Sequence, residues 1–278
     1  MALPLREGVH PAIADGNVAV VTGAALGIGR AIAGRFVSEG MRVALLDLDG
    51  TALHEAAADL GPSAVAIPCN VASRADVEAA CERVLGLWGQ APSILVNNAA
   101  TRIGKGMDAS LDDWRALMDV NLWGVVHGVR AFLPVMQAAG QPGAVVNVGS
   151  KQGITNPPGH PAYNMSKAAV KTLTECLEHD LRQKDNHLIT AHLLVPGFTA
   201  NSLVATGTPG SWTPEQVADR MMEALGRGDF YVVCPDDEVS EEEDRARIAW
   251  AAGDITEGRP ALSRWHPDWS AAYKATRG

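Results

Sequence analysis

Short apolar runs alternate with longer amphipathic segments along most of the chain. The first run, NVAVVTG, leads into an alanine-rich stretch from Ile28 to Glu39 with helical spacing. The same order repeats through RVALLDLD, SAVAIPCNV, SILVNNAA, GAVVNVGS and LITAHLLVPG, and FYVVC comes last. Because strands with apolar side chains on both faces are typical of parallel sheets covered on both sides, the pattern predicts an α/β fold with a doubly wound parallel sheet of about seven strands, flanked by helices.

Two segments have a strong helical pattern. One extends from about Leu111 to about Ala139, with Ser110 as its expected N-cap. Pro134 is expected to kink or end this helix, because proline lacks the N–H of the helical hydrogen bond. The other begins near Pro161, a residue suited to the first turn of a helix.

The two ends of the chain fall outside the alternation. Residues 1–16 are expected to be an N-terminal extension and residues from about 235 to 278 a C-terminal extension. The latter opens with the acidic run DDEVSEEED, which we interpret as the solvated start of a helix. With 278 residues and 47% hydrophobic composition, the chain 1–278 is expected to form a single domain.

Composition and charge narrow the classes of partner. A formal net charge of −9 argues against nucleic acid, since such binding depends on clustered lysine and arginine. The four cysteines are far apart and show no metal-ligand spacing, so neither zinc nor a disulfide framework is expected, and reduced thiols favour a cytoplasmic location. The sequence contains no stretch of about 18 uncharged apolar residues, so no membrane span is predicted. A small-molecule partner is therefore expected.

A glycine-rich turn follows the first strand. Glycines here let the backbone approach a pyrophosphate, and the helix N-terminus offers N–H groups to it. A glycine-rich turn without a ligand is the alternative. The expected contacts are Gly23, Leu26, Gly27, Ile28 and Gly29.

The second strand ends at Asp47, where a dinucleotide fold places an acid for the adenosine ribose. Its carboxylate would accept a hydrogen bond from a 2′-hydroxyl and repel a 2′-phosphate. Leu26 and Leu48 offer no cation, so the sequence favours NAD over NADP. Arg30 and Arg42 are the nearest cations, and either could be only a surface charge.

Several ordered motifs together resemble the short-chain dehydrogenase/reductase superfamily, in its form of about 250 residues. The likeness covers Asn17 to about Thr213. Its motifs are TGAALGIG, Asp47 at the strand end, NNAA at 97–100, Asn121, Ser150, YNMSK from Tyr163 to Lys167, and Pro196 with Gly197. The resemblance implies a Rossmann-type, dinucleotide-binding and catalytic domain.

The resemblance implies that Tyr163 transfers the proton and that Ser150, Lys167 and Asn121 assist it. Tyr163 and Lys167 are spaced i, i+4, so they share one face of a helix. The pKa of a phenol is near 10, and a neighbouring ammonium favours the phenolate. Ser150 would bind the substrate oxygen, Lys167 would also bind the nicotinamide ribose, and Asn121 would hold a relay water. Taken singly, each residue has an ordinary structural explanation.

The remaining cofactor contacts are also implied by the resemblance: Asn70 and Val71 near the adenine, Asn98 near the ribose, and Pro196 and Thr199 near the nicotinamide. Three positions depart from the family pattern. Asn70 stands where aspartate is usual, Ala100 where glycine is usual, and Asn201 where threonine is common.

The segment from Asn201 to Trp212 is expected to cover the substrate, and its shortness permits a bulky substrate. The residues expected to face the pocket are Thr101, Arg102, Gln152, Asn156, Pro157, His160 and Phe198. Of these, Gln152 and Phe198 are expected to contact the substrate together with Ser150 and Tyr163. Arg102 and Lys151 could meet a carboxylate or could be solvated.

The aromatic residues near the C-terminus, Trp250, Trp265, His266 and Trp269, could close the active site, but ordinary packing is the favoured interpretation. The long helix with Trp123 and the helix with Tyr163 form a subunit interface in the family, which implies a homodimer or homotetramer.

The leading hypothesis is an NAD-dependent oxidoreductase that transfers a hydride between the cofactor and a secondary alcohol or ketone. The alternatives are an NADPH-dependent ketoreductase, which Asp47 disfavours, and a non-catalytic dinucleotide-binding sensor, which would not need Ser150, Tyr163 and Lys167 together. Epimerase or dehydratase chemistry is a third alternative, and the glycine spacing and the short substrate segment oppose it. No metal is expected.

Overall fold

All seven apolar runs form strands of one parallel sheet. The computed structural model describes residues 8–48, 50–184, 188–200, 210–236 and 239–276. The strands are β1 (Val18–Thr22), β2 (Arg42–Asp47), β3 (Ala64–Pro68), β4 (Ile94–Asn97), β5 (Gly143–Val148), β6 (Ile189–Val195) and β7 (Tyr231–Val233). Their order is β3-β2-β1-β4-β5-β6-β7, and each neighbouring pair is parallel. The predicted Rossmann-type, doubly wound fold is confirmed.

Helices cover both faces of the sheet. They are α1 (Gly27–Ser38), α2 (Thr51–Leu60), α3 (Arg74–Trp88), α4 (Leu111–Met118), α5 (Gly124–Ala139), α6 (Gln152–Thr155), α7 (Pro161–Arg182), α8 (Pro214–Arg227), α9 (Glu241–Thr256) and α10 (Ser270–Ala275). A π-helical segment, Asp119–Trp123, joins α4 to α5, and a 3₁₀ turn occupies Ser263–Trp265. Within the described part of the chain, no helix has both the length and the apolar character needed to cross a bilayer.

Alternate side chains of the strands build two cores. In β1, Ala19 and Val21 join the core beneath α1 and α8, whereas Val18 and Val20 join the core beneath α3 and α5. Burial on both faces explains why the strands appear in the sequence as continuous apolar runs rather than alternating ones.

The strand order reverses between β1 and β4. The connection after β1 leads to β2 on one side, while β4 lies on the other side of β1. Ligands of open α/β sheets bind in the crevice at such a reversal, outside the carboxyl ends of the strands. The glycine loop after β1 and the NNAA segment after β4 flank this crevice.

The predicted long helix from about Leu111 to about Ala139 is formed by α4, the π-helical segment and α5 in succession. Ser110 caps α4 as expected, because its hydroxyl accepts a hydrogen bond from Asp113 N at 3.0 Å. The helix does not end at Pro134 but continues to Ala139, held by the buried residues Phe132 and Met136. Tertiary packing of an apolar face offsets the loss of one helical hydrogen bond.

The acidic run is only partly solvated, which corrects the expectation. Ser240 caps α9 by accepting from Glu243 N at 3.2 Å, so a helix starts where the sequence indicates. However, Asp236 and Asp244 are 5% and 4% exposed. Both form ion pairs with Lys151. The positive charge of the lysine offsets the cost of burying the two carboxylates.

Candidate active site

A cleft of about 950 Å³ lies at the carboxyl ends of the strands. It is lined by the residues that follow β1, β2, β4, β5 and β6, and by part of the C-terminal extension. The predicted site residues all line this cleft except Gly29 and Asn121. Of the residues expected to face the substrate, Asn156 and His160 are not part of its wall.

The glycine loop has the shape that a pyrophosphate requires. Gly23 and Gly27 have φ of 64° and 56°, a backbone region that glycine adopts without strain. A Cβ on Gly29 would lie 2.2 Å from Gly23 O, so only glycine permits this close approach. Leu26 at the N-cap of α1 provides no side-chain cap, which leaves the first-turn N–H groups open to an anion. The loop therefore fits a dinucleotide pyrophosphate.

Asn98 supports this loop from β4. Its Nδ2 donates to Thr22 O at 2.9 Å and to Gly23 O at 3.0 Å, and its backbone N–H donates to Thr22 Oγ1 at 2.9 Å. The resemblance implied a ribose contact for Asn98. Its amide nitrogen holds the glycine loop in place, and the ribose contact stays a prediction.

Asp47 lies at the end of β2, facing the glycine loop. Its Oδ2 accepts from Ala25 N at 2.9 Å and its Oδ1 accepts from Leu48 N at 2.8 Å. Each carboxylate oxygen keeps a lone pair for a further donor. Leu26 and Leu48 are exposed beside it.

The two arginines that could have received a 2′-phosphate are engaged elsewhere. Arg30 pairs with Asp59 at 2.6 Å. Arg42 donates to Gly16 O at 2.6 Å and to Gln90 Oε1 at 2.6 Å.

The expected adenine contacts are ordered by local bonds. Asn70 Oδ1 accepts from Ala72 N at 3.1 Å. Val71 is buried, and Gly124 packs so closely against it that a Cβ there would lie 2.9 Å from Val71 Cγ2.

Ser150, Tyr163 and Lys167 converge at the centre of the cleft. Ser150 follows β5, and the other two lie one turn apart in α7. Ser150 Oγ accepts a hydrogen bond from Gln152 N at 3.2 Å. Lys167 Nζ donates to Val148 O at 2.8 Å and lies 5.8 Å from the centroid of the Tyr163 ring. The arrangement presents one phenol, one hydroxyl and one amine to a common point.

The electrostatics differ from the sequence-based expectation. Burial raises the pKa of Tyr163, while a hydrogen bond from Ser150 and the positive charge of Arg102 lower it. Burial also lowers the pKa of Lys167 to about 8. Arg102, whose guanidinium lies 5.5 Å from the ring centroid, is therefore a further cation that favours the Tyr163 phenolate.

Asn121 lies behind the cleft wall, in the π-helical segment. It is fully buried, and its Oδ1 accepts from Thr101 N at 2.7 Å while its Nδ2 donates to Thr101 O at 3.0 Å. Nδ2 also approaches Ser166 Oγ at 3.2 Å. These bonds occupy the side chain and fix the loop after β4. The relay water stays a prediction.

The substrate side is formed partly by residues after β6. Gln152 and Phe198 line the cleft, and Phe198 is 48% exposed. Thr199 is buried and pairs with Trp212 in a parallel bridge. Asn201 and most of the expected covering segment lie outside the described residues.

Sequence reasoning missed the contribution of the C-terminal extension. Trp265 lines the cleft, as do Arg247 and Arg264. Trp250 packs as expected, with its indole N–H donating to Ser263 Oγ at 2.7 Å. The aromatic residues of the segment marked it as a candidate, but their spacing does not say which ring reaches the cleft.

Lys151 is the second missed feature. Its Nζ lies 2.6 Å from Asp244 Oδ2 and 3.3 Å from Asp236 Oδ2, and Asp236 Oδ2 also accepts from Phe198 N at 3.3 Å. Lys151 is therefore paired and not available for a substrate carboxylate. Nothing in the local sequence signals this pairing, since its partners lie in the C-terminal extension.

Comparisons with known proteins agree with this geometry. A family model for short chain dehydrogenases matches residues 17–210, which contain the candidate catalytic residues. The Mycobacterium tuberculosis protein named SadH is 37% identical over 240 residues, covering 79% of this chain and 86% of that protein. The sorbitol dehydrogenase of Cereibacter sphaeroides is 34% identical over 184 residues, covering 66% of this chain and 70% of that enzyme. A solved structure of a short chain dehydrogenase/reductase from Burkholderia phymatum in complex with NAD has a TM-score of 0.82 at 30% identity, covering 89% of this chain and 96% of that one.

Proposed function

The chain belongs to the short-chain dehydrogenase family of oxidoreductases, and from this premise we propose that it is an NAD-dependent enzyme that interconverts a secondary alcohol and its ketone. The observation that carries the proposal is the convergence of Ser150, Tyr163 and the buried amine of Lys167 in one cleft. All three line the same cleft as the glycine loop.

Tyr163 is the proton-transfer group of the proposed reaction. In the oxidation, its phenolate removes the proton from the alcohol oxygen while the hydride leaves the carbon. A nicotinamide bound in this cleft would supply the redox chemistry, as the acceptor of the hydride in the oxidation and its donor in the reduction. In the reduction, the phenol returns its proton to the oxygen of the former ketone.

Ser150 and Lys167 prepare this step. The hydroxyl of Ser150 holds the substrate oxygen where negative charge develops. Lys167 is held against Val148 O and contributes positive charge near the phenol, which favours loss of its proton. In our proposal it also binds the nicotinamide ribose.

The charged residues near the expected position of the adenosine ribose support a preference for NAD over NADP. Asp47 would repel a 2′-phosphate, and Arg30 and Arg42 are held by other groups. The similar Burkholderia phymatum protein binds NAD in its solved structure.

A non-catalytic sensor is the competing function. It would need the glycine loop and Asp47 but would not need Ser150, Tyr163 and Lys167 to converge.

We also infer assembly as a homodimer or homotetramer through the helices that carry Trp123 and Tyr163. Trp123 is 51% exposed, which fits a covered position in an assembly, and light scattering of the purified protein measures its state.

The direct test is a paired absorbance assay of NAD reduction and of NADH and NADPH oxidation, across small and bulky aromatic alcohols and ketones. Turnover linked to NAD supports the proposal. Tight nucleotide binding without turnover on any member of the panel supports the sensor instead.

A further inference from the structure

Among the residues that the structure describes, five cationic side chains line the cleft: Arg102, Lys151, Lys167, Arg247 and Arg264. A cation inside a largely apolar cleft needs a partner, because an uncompensated buried charge is costly. The partner of each cation therefore indicates whether it is free to receive a ligand.

Two of the five are neutralised by carboxylates. Lys151 lies 2.6 Å from Asp244 and 3.3 Å from Asp236. Arg247 lies 2.6 Å from Glu243. Neither is available to a negatively charged substrate without breaking an existing pair.

Two others are held by different contacts. Lys167 donates to Val148 O at 2.8 Å and belongs to the proposed proton-transfer machinery. Arg264 lies over the rings of Trp265 and Tyr273, at 4.7 Å and 5.2 Å from their centroids.

Arg102 differs from these four. It makes no ion pair or hydrogen bond to any residue that the structure describes, and its Nε is buried without an acceptor. Its guanidinium lies 5.5 Å from the centroid of the Tyr163 ring. A charged donor left in this state costs free energy, which an anionic ligand would recover.

The loop that carries Arg102 is fixed before any ligand binds. Asn121 makes two hydrogen bonds to the backbone of Thr101, the residue before Arg102. A preorganised donor loses less conformational entropy on binding than a mobile one. Apolar side chains, among them Ile103, Ile154 and Phe198, line the same cleft.

We propose that Arg102 binds a carboxylate of the substrate, so that the enzyme acts on hydroxy acids and oxo acids whose reacting carbon lies a few bonds from the carboxylate. This inference rests on the proposed function, because Ser150 and Tyr163 place the reacting oxygen. The planar guanidinium matches a carboxylate with two parallel hydrogen bonds. The apolar wall accommodates a hydrocarbon or aromatic body.

Binding to the enzyme saturated with NAD tests this, because the oxidised cofactor cannot reduce an oxo acid during the titration. The probes are 2-oxo-2-phenylacetate and 4-oxo-4-phenylbutanoate, each compared with its methyl ester by calorimetry. We expect at least one acid to bind about 10- to 100-fold more tightly than its ester, the range for a hydrogen bond to a charged group.

Arg102→Gln should remove this preference, and Arg102→Lys should retain part of it. Arg115→Gln is the matched control, since Arg115 is exposed in α4 and pairs with Asp112 at 3.3 Å. Equal binding of acid and ester by the wild type overturns the inference. So does equal weakening of acid and ester in Arg102→Gln, which would mean that the charge acts only on Tyr163.

Turnover separates this inference from the proposed function. NADH oxidation is measured with the two acids, their esters and acetophenone. If the acids bind through Arg102 but no carbonyl compound is reduced, the proposed function fails and the carboxylate site stands. If the esters and acetophenone are reduced as well as the acids, and Arg102→Gln has no effect, the carboxylate site fails and the function stands.

Discussion

Tyr163 experiences opposing influences that decide how readily it gives up its proton. Burial raises its pKa, whereas the hydrogen bond from Ser150 and the charge of Arg102 lower it. Lys167 adds a nearby amine whose own pKa is lowered by burial to about 8. A buried phenol whose pKa is shifted by neighbouring charges and hydrogen bonds is suited to general acid–base catalysis.

Tyr163→Phe should lower turnover about 100- to 10,000-fold, the usual contribution of a general acid–base group. Cofactor affinity should change little, because the ring remains and the glycine loop is untouched. Tyr231→Phe is the control: this exposed tyrosine hydrogen-bonds to Glu175, away from the cleft. Steady-state rates and fluorescence titration with NADH measure the two effects, and full turnover in Tyr163→Phe would exclude the proposed proton transfer.

Asp47 combines two roles, since it holds Ala25 of the glycine loop and carries the charge that opposes a 2′-phosphate. Asp47→Asn retains an acceptor for Ala25 N and loses the charge. The ratio of kcat/KM for NADP to that for NAD should therefore rise about tenfold or more, the equivalent of ~1.4 kcal/mol.

Asp47→Ala should raise the same ratio while weakening both cofactors, because the bond to the loop is lost. Asp219→Ala is the control, since that carboxylate pairs with Arg35 and lies 58% exposed. A ratio that stays constant in Asp47→Asn would reject the charge argument for NAD.

Individual contacts were less predictable than the set of residues. The motif positions could be carried over because each occupies a fixed place after a strand or on α7. The partner that Asn98, Asn121 or Arg102 actually uses depends on backbone atoms far away in the sequence. Local spacing contains no information about those atoms.

Three elements meet at Lys151: the turn after β5, the segment after β7, and α9. The lysine joins them through Asp236 and Asp244, whose side chains are 2% and 5% exposed. Burial raises the pKa of Asp244, and Lys151 opposes that rise. The ion cluster thus fastens the C-terminal extension beside Ser150.

Lys151→Met should lower the free energy of unfolding by about 3–5 kcal/mol, because two buried carboxylates lose their cation. Lys171→Met removes a half-exposed i, i+4 pair with Glu175 and should cost at most about 1 kcal/mol. Adding Asp244→Asn to Lys151→Met should restore part of the stability by removing one of the two facing charges. Urea denaturation measures all three, and similar losses for Lys151→Met and Lys171→Met would contradict the account.

The positions of helices and strands were predictable from the sequence where the burial of apolar side chains alone determines the structure. The five inner strands β1, β2, β4, β5 and β6 are apolar runs buried on both faces, and the edge strands β3 and β7 are apolar runs that are only partly buried, so composition and length were sufficient to find all seven. The π-helical segment at Asp119–Trp123 and the continuation through Pro134 depend on packing against neighbouring helices and strands. The burial of Asp236 and Asp244 depends on a lysine from a different element, so the acidic run looked solvated.

At the scale of the whole molecule, the described part of the N-terminal extension, residues 8–16, contributes to the core. His10 is 1% exposed, and Ala12 and Ile13 join the core on one face of the sheet. His10 Nδ1 accepts from Ala12 N at 3.2 Å, so the ring is neutral with its proton on Nε2. Nε2 lies 3.2 Å from Thr190 Oγ1 in β6.

Acid should therefore weaken the folded state through His10. Burial, with the charge of His192 second, lowers the pKa of His10 from 6.5 to about 4. The unfolded chain takes up this proton near pH 6.5 and the folded protein only near pH 4, so the free energy of unfolding falls as the pH drops through that window. Below pH 4 this contribution is fully lost.

His10→Gln should remove this dependence. Between pH 7 and pH 4 the wild type should lose about 3 kcal/mol more stability than His10→Gln, since each pKa unit corresponds to about 1.4 kcal/mol. His179→Gln, an exposed histidine in the last turn of α7, should keep the wild-type slope. Urea denaturation across this pH range provides the comparison. Parallel curves for the wild type and His10→Gln would mean that the N-terminal extension opens before His10 titrates, and that its packing does not contribute to global stability in acid.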